Sequence, residues 1–134
     1  MEKAMMIGYV TVGTNDLERA IAFYDALLGE LGIERMWANE RRAAWGNPQV
    51  QALLVTKPFD GAAAVAGNGA MTALIAPSSE MVGKVHAKAL ALGAKDEGAP
   101  GFRGADNPRF YGAYFRDPDG NKFAVFCMVA IPAQ

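Results

Sequence analysis

The sequence has few of the residues that usually carry metal or redox chemistry. Its 134 residues include one cysteine, Cys127, and one histidine, His86. A single cysteine excludes an internal disulfide, which favours a cytoplasmic protein. Cys127 lies in an apolar, strand-like run, where we expect a small core residue rather than a nucleophile. His86 lies in a helical stretch among valine and alanine residues, which favours a packing or surface role over a catalytic one.

An excess of one charge and long apolar runs are also lacking. The 13 Lys and Arg residues are balanced by 14 Asp and Glu residues, for a net charge of −1. Without a basic excess, nothing points to a nucleic acid partner. No apolar run reaches the length of a membrane span, and the N-terminus lacks the long apolar core of a signal peptide, so we expect no membrane partner. With 51% hydrophobic and 20% charged residues, the composition predicts an ordinary globular domain.

The same order of predicted elements occurs twice along the chain, and a segment rich in Gly, Ala and Pro separates the two copies. We predict a single domain with module one at about 6–57, a linker at about 58–68 and module two at about 69–129. In each module a strand and a helix precede three strands, which predicts an α+β fold of two paired βαβββ modules. The predicted elements are strands at 7–13, 33–38, 42–45, 50–56, 70–75, 95–98, 110–116 and 122–128, and helices starting near 17 and 78. One helix covers only one face of each sheet, so we expect curled mixed sheets with a concave cleft on the other.

Turn signals punctuate this pattern. Residues 46–48 (Gly-Asn-Pro) predict a turn between two strands of module one. Residues 117–120 (Asp-Pro-Asp-Gly) predict the tight turn between the last two strands, because Pro118 presets φ and Gly120 allows a positive φ. Residues 98–107 predict a loop that is either a lid over the cleft or a plain connector.

Several motifs occur in a characteristic order. They are Val10-Thr11-Val12, the run from Asn15 to Ala20, Phe23-Tyr24, Leu28-Gly29, the run from Ala89 to Ala94, and the run from Tyr114 to Asn121. The ordered set resembles the vicinal oxygen chelate superfamily, which includes glyoxalase I, bleomycin and fosfomycin resistance proteins and extradiol dioxygenases. The resemblance covers residues 6–128 and implies paired βαβββ modules around one cleft, usually in a homodimer.

The resemblance also implies where a metal would bind. In members that use a divalent ion, His or Glu ligands stand at positions that correspond here to Tyr9, Met71 and Ala124. A neutral phenol is a poor ligand, a thioether is too soft for these ions, and alanine offers no donor. We therefore predict no metal and no cofactor.

Strand alternation and the resemblance together predict an aromatic, apolar ligand-binding cleft. Its predicted residues are Tyr9, Thr11, Trp45, Met71, Phe110, Tyr114, Lys122, Ala124 and Phe126. Alternatives stay open for some of them: Trp45, Phe110 and Phe126 suit a core, and Lys122 suits a solvated sheet edge. Met71 also suits a cavity filler.

These features predict a metal-independent small-molecule binding protein of the glyoxalase/bleomycin-resistance type, with a hydrophobic or aromatic ligand. The alternative is a glyoxalase-like enzyme, a lyase, isomerase or thiol transferase, which family membership alone motivates because fold does not determine function. A third interpretation is a structural or regulatory subunit with a vestigial cleft.

Overall fold

The computed structural model of the chain describes residues 2–4, 6–47 and 51–130. The chain divides into two compact units, with the boundary between Val65 and Ala66. Each unit contains one helix and one four-stranded mixed sheet. No helix among the described residues has the length and hydropathy needed to cross a membrane.

Unit 1 runs strand, helix, strand, strand, strand. Its elements are β1 (Tyr9–Gly13), α1 (Leu17–Gly29), β2 (Arg35–Ala38), β3 (Arg42–Asn47) and β4 (Gln51–Thr56). The strand order is β1-β4-β3-β2, with β1 parallel to β4 and the other pairs antiparallel.

Helix α1 begins and packs as its sequence pattern dictates. The Asp16 side chain caps the helix by accepting a hydrogen bond from the backbone N–H of Arg19. Its apolar residues recur at helical spacing and are buried. They are Leu17, Ala20, Phe23, Tyr24, Leu27 and Leu28. This buried stripe packs against β3 and β4 and forms the core of unit 1.

Unit 2 repeats the same order. Its elements are β5 (Thr72–Ile75), α2 (Ser79–Ala91), β6 (Lys95–Phe102), β7 (Phe110–Arg116) and β8 (Lys122–Met128). The strand order is β5-β8-β7-β6, with β5 parallel to β8 and the other pairs antiparallel. The predicted α+β class and the repeated βαβββ order are therefore confirmed.

The core of unit 2 lies between α2 and one face of this sheet. Phe115 and Phe123 are fully buried cross-strand neighbours whose rings stack at 5.6 Å. Val82 and Val85 of α2 are fully buried as well. Cys127 is only 5% exposed, which confirms its prediction as a core residue.

Two boundary predictions are wrong. Gly46 and Asn47 do not form a turn but continue β3, where they pair with Ala52 and Gln51 of β4. The rest of that predicted turn, and the first residue of the strand predicted at 50–56, lie outside the described residues. Half of the loop predicted at 98–107 is also strand, since β6 continues to Phe102. β6 is an edge strand with two register shifts, a position that tolerates its glycines and Pro100.

Candidate functional site

The unit 2 sheet has a second face, opposite the one that packs on α2, and it carries a row of aromatic side chains. Since neighbours along a strand point to opposite faces, Tyr114 lies on the face opposite Ala113 and Phe115, which are fully buried. The register carries this face across to β8 by pairing Tyr114 with Ala124. We call this surface the aromatic face and define it as Phe110, Tyr114, Lys122, Ala124 and Phe126.

Two of its rings stack on each other. Phe110 and Phe126 stack with their centroids 5.0 Å apart and their planes within 9°. Gly112 makes this arrangement possible, because a Cβ there would lie 2.6 Å from Cε1 of Phe110. Both rings are half-buried, so part of their surface remains accessible to a ligand.

The third ring, Tyr114, lies between two cations. The Arg103 guanidinium carbon is 5.0 Å from the ring centroid, and Nζ of Lys122 is 5.7 Å from it. Both distances are within the range of cation–π attraction. Among the described residues, neither cation has a carboxylate within ion-pair distance. The aromatic face therefore combines apolar rings with two positive charges at one end.

Arg103 is held in place by the backbone. Its Nη2 donates a hydrogen bond to the carbonyl of Gly112 at 2.9 Å and another to the carbonyl of Ala99. Its Nε is buried and has no hydrogen-bond partner within the described part of the chain.

The sequence pattern alone did not place Arg103 beside Tyr114. The signal that could have found it is the pair of glycines, Gly98 and Gly101, on an edge strand opposite Tyr114 and Gly112. Glycines inside strands mark places where another group lies against the backbone. A Cβ on Gly98 would lie 3.0 Å from Tyr114 and 3.4 Å from Nη2 of Arg103.

The cleft residues predicted in unit 1 do not share one face. Tyr9 and Thr11 are exposed on one side of the sheet. Trp45 lies on the other side, where it is 1% exposed and contacts Tyr24 of α1 at 5.5 Å between centroids. Its Nε1 donates a 2.9 Å hydrogen bond to Oδ1 of Asp25. Placing Trp45 on one wall with Tyr9 was therefore wrong, and its open alternative, a core residue, describes its position.

The positions that correspond to the metal ligands do not fit a divalent ion. Ala124 is completely buried and has no donor atom. Met71 precedes β5 and is 49% exposed, and its thioether is too soft for Zn, Ni, Mn or Fe in an oxygen and nitrogen site. Tyr9 offers only a phenol, a poor ligand for these ions, on the exposed face of unit 1. No group of three or more His, Cys, Asp or Glu residues in the described ranges is arranged to hold a metal.

His86 lies on the helix side of unit 2, away from the aromatic face. It is 5% exposed, and its Nε2 is 3.1 Å from Oδ1 of Asp96 on β6. Asp96 pairs with the buried Phe115 in the sheet register, which places it on the side facing α2. A backbone hydrogen bond from Gly98 lowers the pKa of Asp96, burial opposes that shift, and the bond to His86 adds to it. The only imidazole therefore ties α2 to β6.

Comparison with known proteins gives the family. The sequence model of the Glyoxalase/Bleomycin resistance protein/Dioxygenase superfamily matches residues 6–125. The match extends over most of the chain, from β1 into β8. The chain therefore belongs to this superfamily. No curated protein sequence matches the chain significantly.

Several solved structures share the fold of this chain. The chain is similar to a glyoxalase/bleomycin resistance protein from Albidiferax ferrireducens T118, with 41% identity over 92% of this chain and 98% of that chain and a TM-score of 0.82. A lactoylglutathione lyase from Agrobacterium tumefaciens shares the fold at 21% identity, over 93% of this chain and 95% of that one, with a TM-score of 0.67. A glyoxalase/bleomycin resistance protein/dioxygenase family enzyme from Burkholderia phytofirmans PsJN does so at 19% identity, over 91% and 98%, with a TM-score of 0.72.

Proposed function

We propose that this chain is a metal-independent small-molecule binding protein that holds a hydrophobic or aromatic ligand on the aromatic face of unit 2. The observation that carries the proposal is the set of three half-buried rings on one sheet face. Two of these rings form a flat stack, and the third lies between Arg103 and Lys122. A planar apolar ligand gains contact area on such a surface with little loss of side-chain freedom.

The donor chemistry supports binding without a metal. The superfamily positions in unit 2 that would hold an ion carry the thioether of Met71 and the methyl group of Ala124. Neither position supplies the imidazole or carboxylate that the usual ions need. We further propose a homodimer in the cytoplasm, as the resemblance and the single cysteine favour, and sedimentation velocity would measure the oligomeric state.

The test is a titration with 2-naphthol and 1-naphthoate, followed by NMR of ¹³C-labelled alanine and isoleucine methyl groups. Ala124 lies on the aromatic face, and Ile75 is next to Phe126 in the sheet register. Their methyl signals should shift saturably, because a ring bound on Phe110, Tyr114 and Phe126 changes their local ring currents.

A matched pair of variants gives the control. Tyr114→Ala should weaken binding about tenfold, since loss of a stacking ring costs on the order of 1 kcal/mol or more. Tyr111→Ala removes the same kind of ring from the other face of β7 and should leave the affinity unchanged. The absence of a saturable shift, or equal loss in the two variants, would contradict the proposal.

Elemental analysis of the purified protein tests the alternative. A stoichiometric content of Ni, Zn, Mn or Fe that resists dialysis would contradict metal independence and favour a glyoxalase-like enzyme. A metal-free protein that binds the naphthalene probes would support the binding function.

A further inference from the structure

Unit 1 contains a surface groove of about 300 Å³ that is separate from the aromatic face. Its walls come from the turn between β2 and β3, from the segment that follows β4, and from the residues preceding α1. Its lining includes Asn15, Arg41, Lys57, Pro58, Ala62 and Ala63. The volume is at the lower end of the range found for small-molecule pockets.

Local hydrogen bonds fix the wall formed by the segment after β4. The Asn15 side-chain amide binds both backbone polar groups of Ala64. Its Oδ1 accepts from the Ala64 N–H at 2.7 Å, and its Nδ2 donates to the Ala64 carbonyl at 3.0 Å. The Asp60 carboxylate accepts from the N–H of Ala62 at 2.9 Å. A groove with walls held in this way needs little rearrangement to bind a ligand.

Two cations line the groove and are held beside each other. The Lys57 N–H donates to the carbonyl of Arg41 at 2.9 Å, and Nη2 of Arg41 donates to the carbonyl of Lys57 at 3.4 Å. The Asn39 side chain accepts from the backbone N–H of Arg41 at 2.9 Å. Hydrogen bonds therefore fix the backbone of both residues, and both residues line the groove.

Neither charge is neutralised. Across the described ranges, no carboxylate lies within 4.0 Å of the Arg41 guanidinium or the Lys57 ammonium group. Other arginines of the chain do have such partners, as Arg35 has Asp25 and Arg116 has Glu97. Because the whole chain carries a net charge of only −1, this local positive surplus is not a consequence of composition.

An exposed aromatic ring stands next to one of the two cations, Arg41. Phe59 is 95% exposed, and the Arg41 guanidinium carbon is 5.8 Å from its ring centroid. Pro58 adds apolar surface to the lining of the groove. A ligand in the groove would meet positive charge and Pro58, and a ligand that extends past Arg41 would also reach the Phe59 ring.

We propose that this groove binds a small organic anion, a carboxylate or phosphate monoester carried on a flat apolar body. The oxyanion accepts hydrogen bonds from the guanidinium N–H groups of Arg41 and from the Lys57 ammonium group. The flat body lies against Pro58 and extends past Arg41 to the Phe59 ring. This site lies in a different unit from the aromatic face, so the proposal does not rest on the proposed function.

The experiment is a ¹⁵N NMR titration of the full chain with phenyl phosphate, benzoate, inorganic phosphate and benzyl alcohol. We expect the amide signals of Lys57, Gly61, Ala62 and Ala63 to shift saturably with phenyl phosphate or benzoate, and the comparison of the two identifies the preferred oxyanion. Binding should be at least about tenfold tighter than for benzyl alcohol, which has the ring without the charge. Inorganic phosphate has the charge without the ring and should also bind more weakly.

Variants locate the binding determinants. The double variant R41Q/K57Q should weaken phenyl phosphate binding at least tenfold. R42Q is the matched control, because the Arg42 guanidinium lies 5.7 Å from the Trp37 ring and does not line the groove. Phe59→Ala should weaken phenyl phosphate binding and leave inorganic phosphate binding unchanged.

Four outcomes would overturn the proposal. They are the absence of saturable shifts with either organic anion, equal affinity for benzyl alcohol, unchanged affinity in R41Q/K57Q, and inorganic phosphate binding as tightly as phenyl phosphate. The backbone spectrum of R41Q/K57Q shows whether the variant is folded. Should it fail to fold, the single variants R41Q and K57Q, each expected to weaken binding severalfold, decide the question.

Discussion

A glycine, which has no side chain, shapes the aromatic face. Gly112 lies between Phe110 and Phe126, and the Phe110 ring lies across its backbone. Gly101 is its register partner on β6, yet a Cβ there would meet nothing within 4 Å. Two paired glycines therefore have different roles, because only Gly112 is in contact with a ring.

Gly112→Ala should displace the Phe110 ring. The new Cβ would lie 2.6 Å from Cε1, so the ring has to rotate away and the stack with Phe126 is lost. Because a ring edge can move, we expect a modest loss of stability, about 1 kcal/mol, and a larger loss of affinity for the naphthalene probes. Urea unfolding and the methyl NMR titration measure the two effects.

Gly101→Ala is the control for this substitution, since it adds the same methyl group at a site with open space. It should leave both stability and affinity within error of the parent. If Gly101→Ala and Gly112→Ala weakened the affinity equally, contact between Gly112 and the Phe110 ring would not be the cause.

At the scale of elements, the β7–β8 hairpin depends on one buried carboxylate. Asp117 is 5% exposed, and its Oδ1 accepts from the backbone N–H groups of Asp119 and Asn121 at 3.0 and 2.8 Å. Its Oδ2 accepts from the Asn121 side chain at 3.0 Å. The turn closes with Gly120 at a φ of 89°, as its sequence predicts.

Asp117→Ala should therefore destabilise unit 2. It leaves two backbone donors and one side-chain donor without their acceptor, which should lower the free energy of unfolding by about 2–4 kcal/mol. Asp106→Ala, in the exposed segment before β7, should cost less than about 0.5 kcal/mol. Denaturant unfolding of the two variants makes the comparison, and similar losses in both would show that the turn network contributes little.

The accuracy of sequence prediction differs from element to element for physical reasons. β7 and β8 have the predicted bounds because apolar alternation and a strong turn signal act together. β6 was taken for a loop beyond Gly98 because its Gly, Ala and Pro residues have low strand propensity, and only pairing with β7 makes it a strand.

Sequence patterns also predicted the candidate site only in part. Alternation and register correctly place Tyr114, Ala124 and Phe126 on one face. Trp45 was placed wrongly because alternation was not counted from β1 through β4 to β3, where Val10, Leu53 and Trp45 form one row facing α1. The contact between Arg103 and Tyr114 depends on the fold of β6, so sequence spacing alone does not reveal it.

At the scale of the whole molecule, the two units share a side-chain contact between helix and strand as well as an order of elements. In unit 1, Asp25 of α1 accepts from Arg35 of β2 at 3.1 Å. In unit 2, His86 of α2 pairs with Asp96 of β6, also at 3.1 Å. Each pair spans ten residues and ties the helix to the strand that follows it, but the acid and the base have exchanged places. The repeat has therefore kept the connection while its residues diverged.

Asp96, the acid of the pair in unit 2, makes the free energy of unfolding depend on pH. Its pKa is lowered in the folded chain, first by the hydrogen bond from the Gly98 N–H and then, against the opposing effect of burial, by His86. A lowered carboxyl pKa stabilises the folded state above the unfolded-state value of about 4, and the contribution is lost as the pH falls through the folded-state pKa.

Asp96→Asn should therefore lower stability relative to the parent at pH 5–7, and the difference should shrink below about pH 4. Urea unfolding between pH 6 and pH 3 measures this difference, with Asp106→Asn in the exposed segment before β7 as the control. A difference for Asp96→Asn that stays constant over this range would show that the lowered pKa of Asp96 does not contribute to stability.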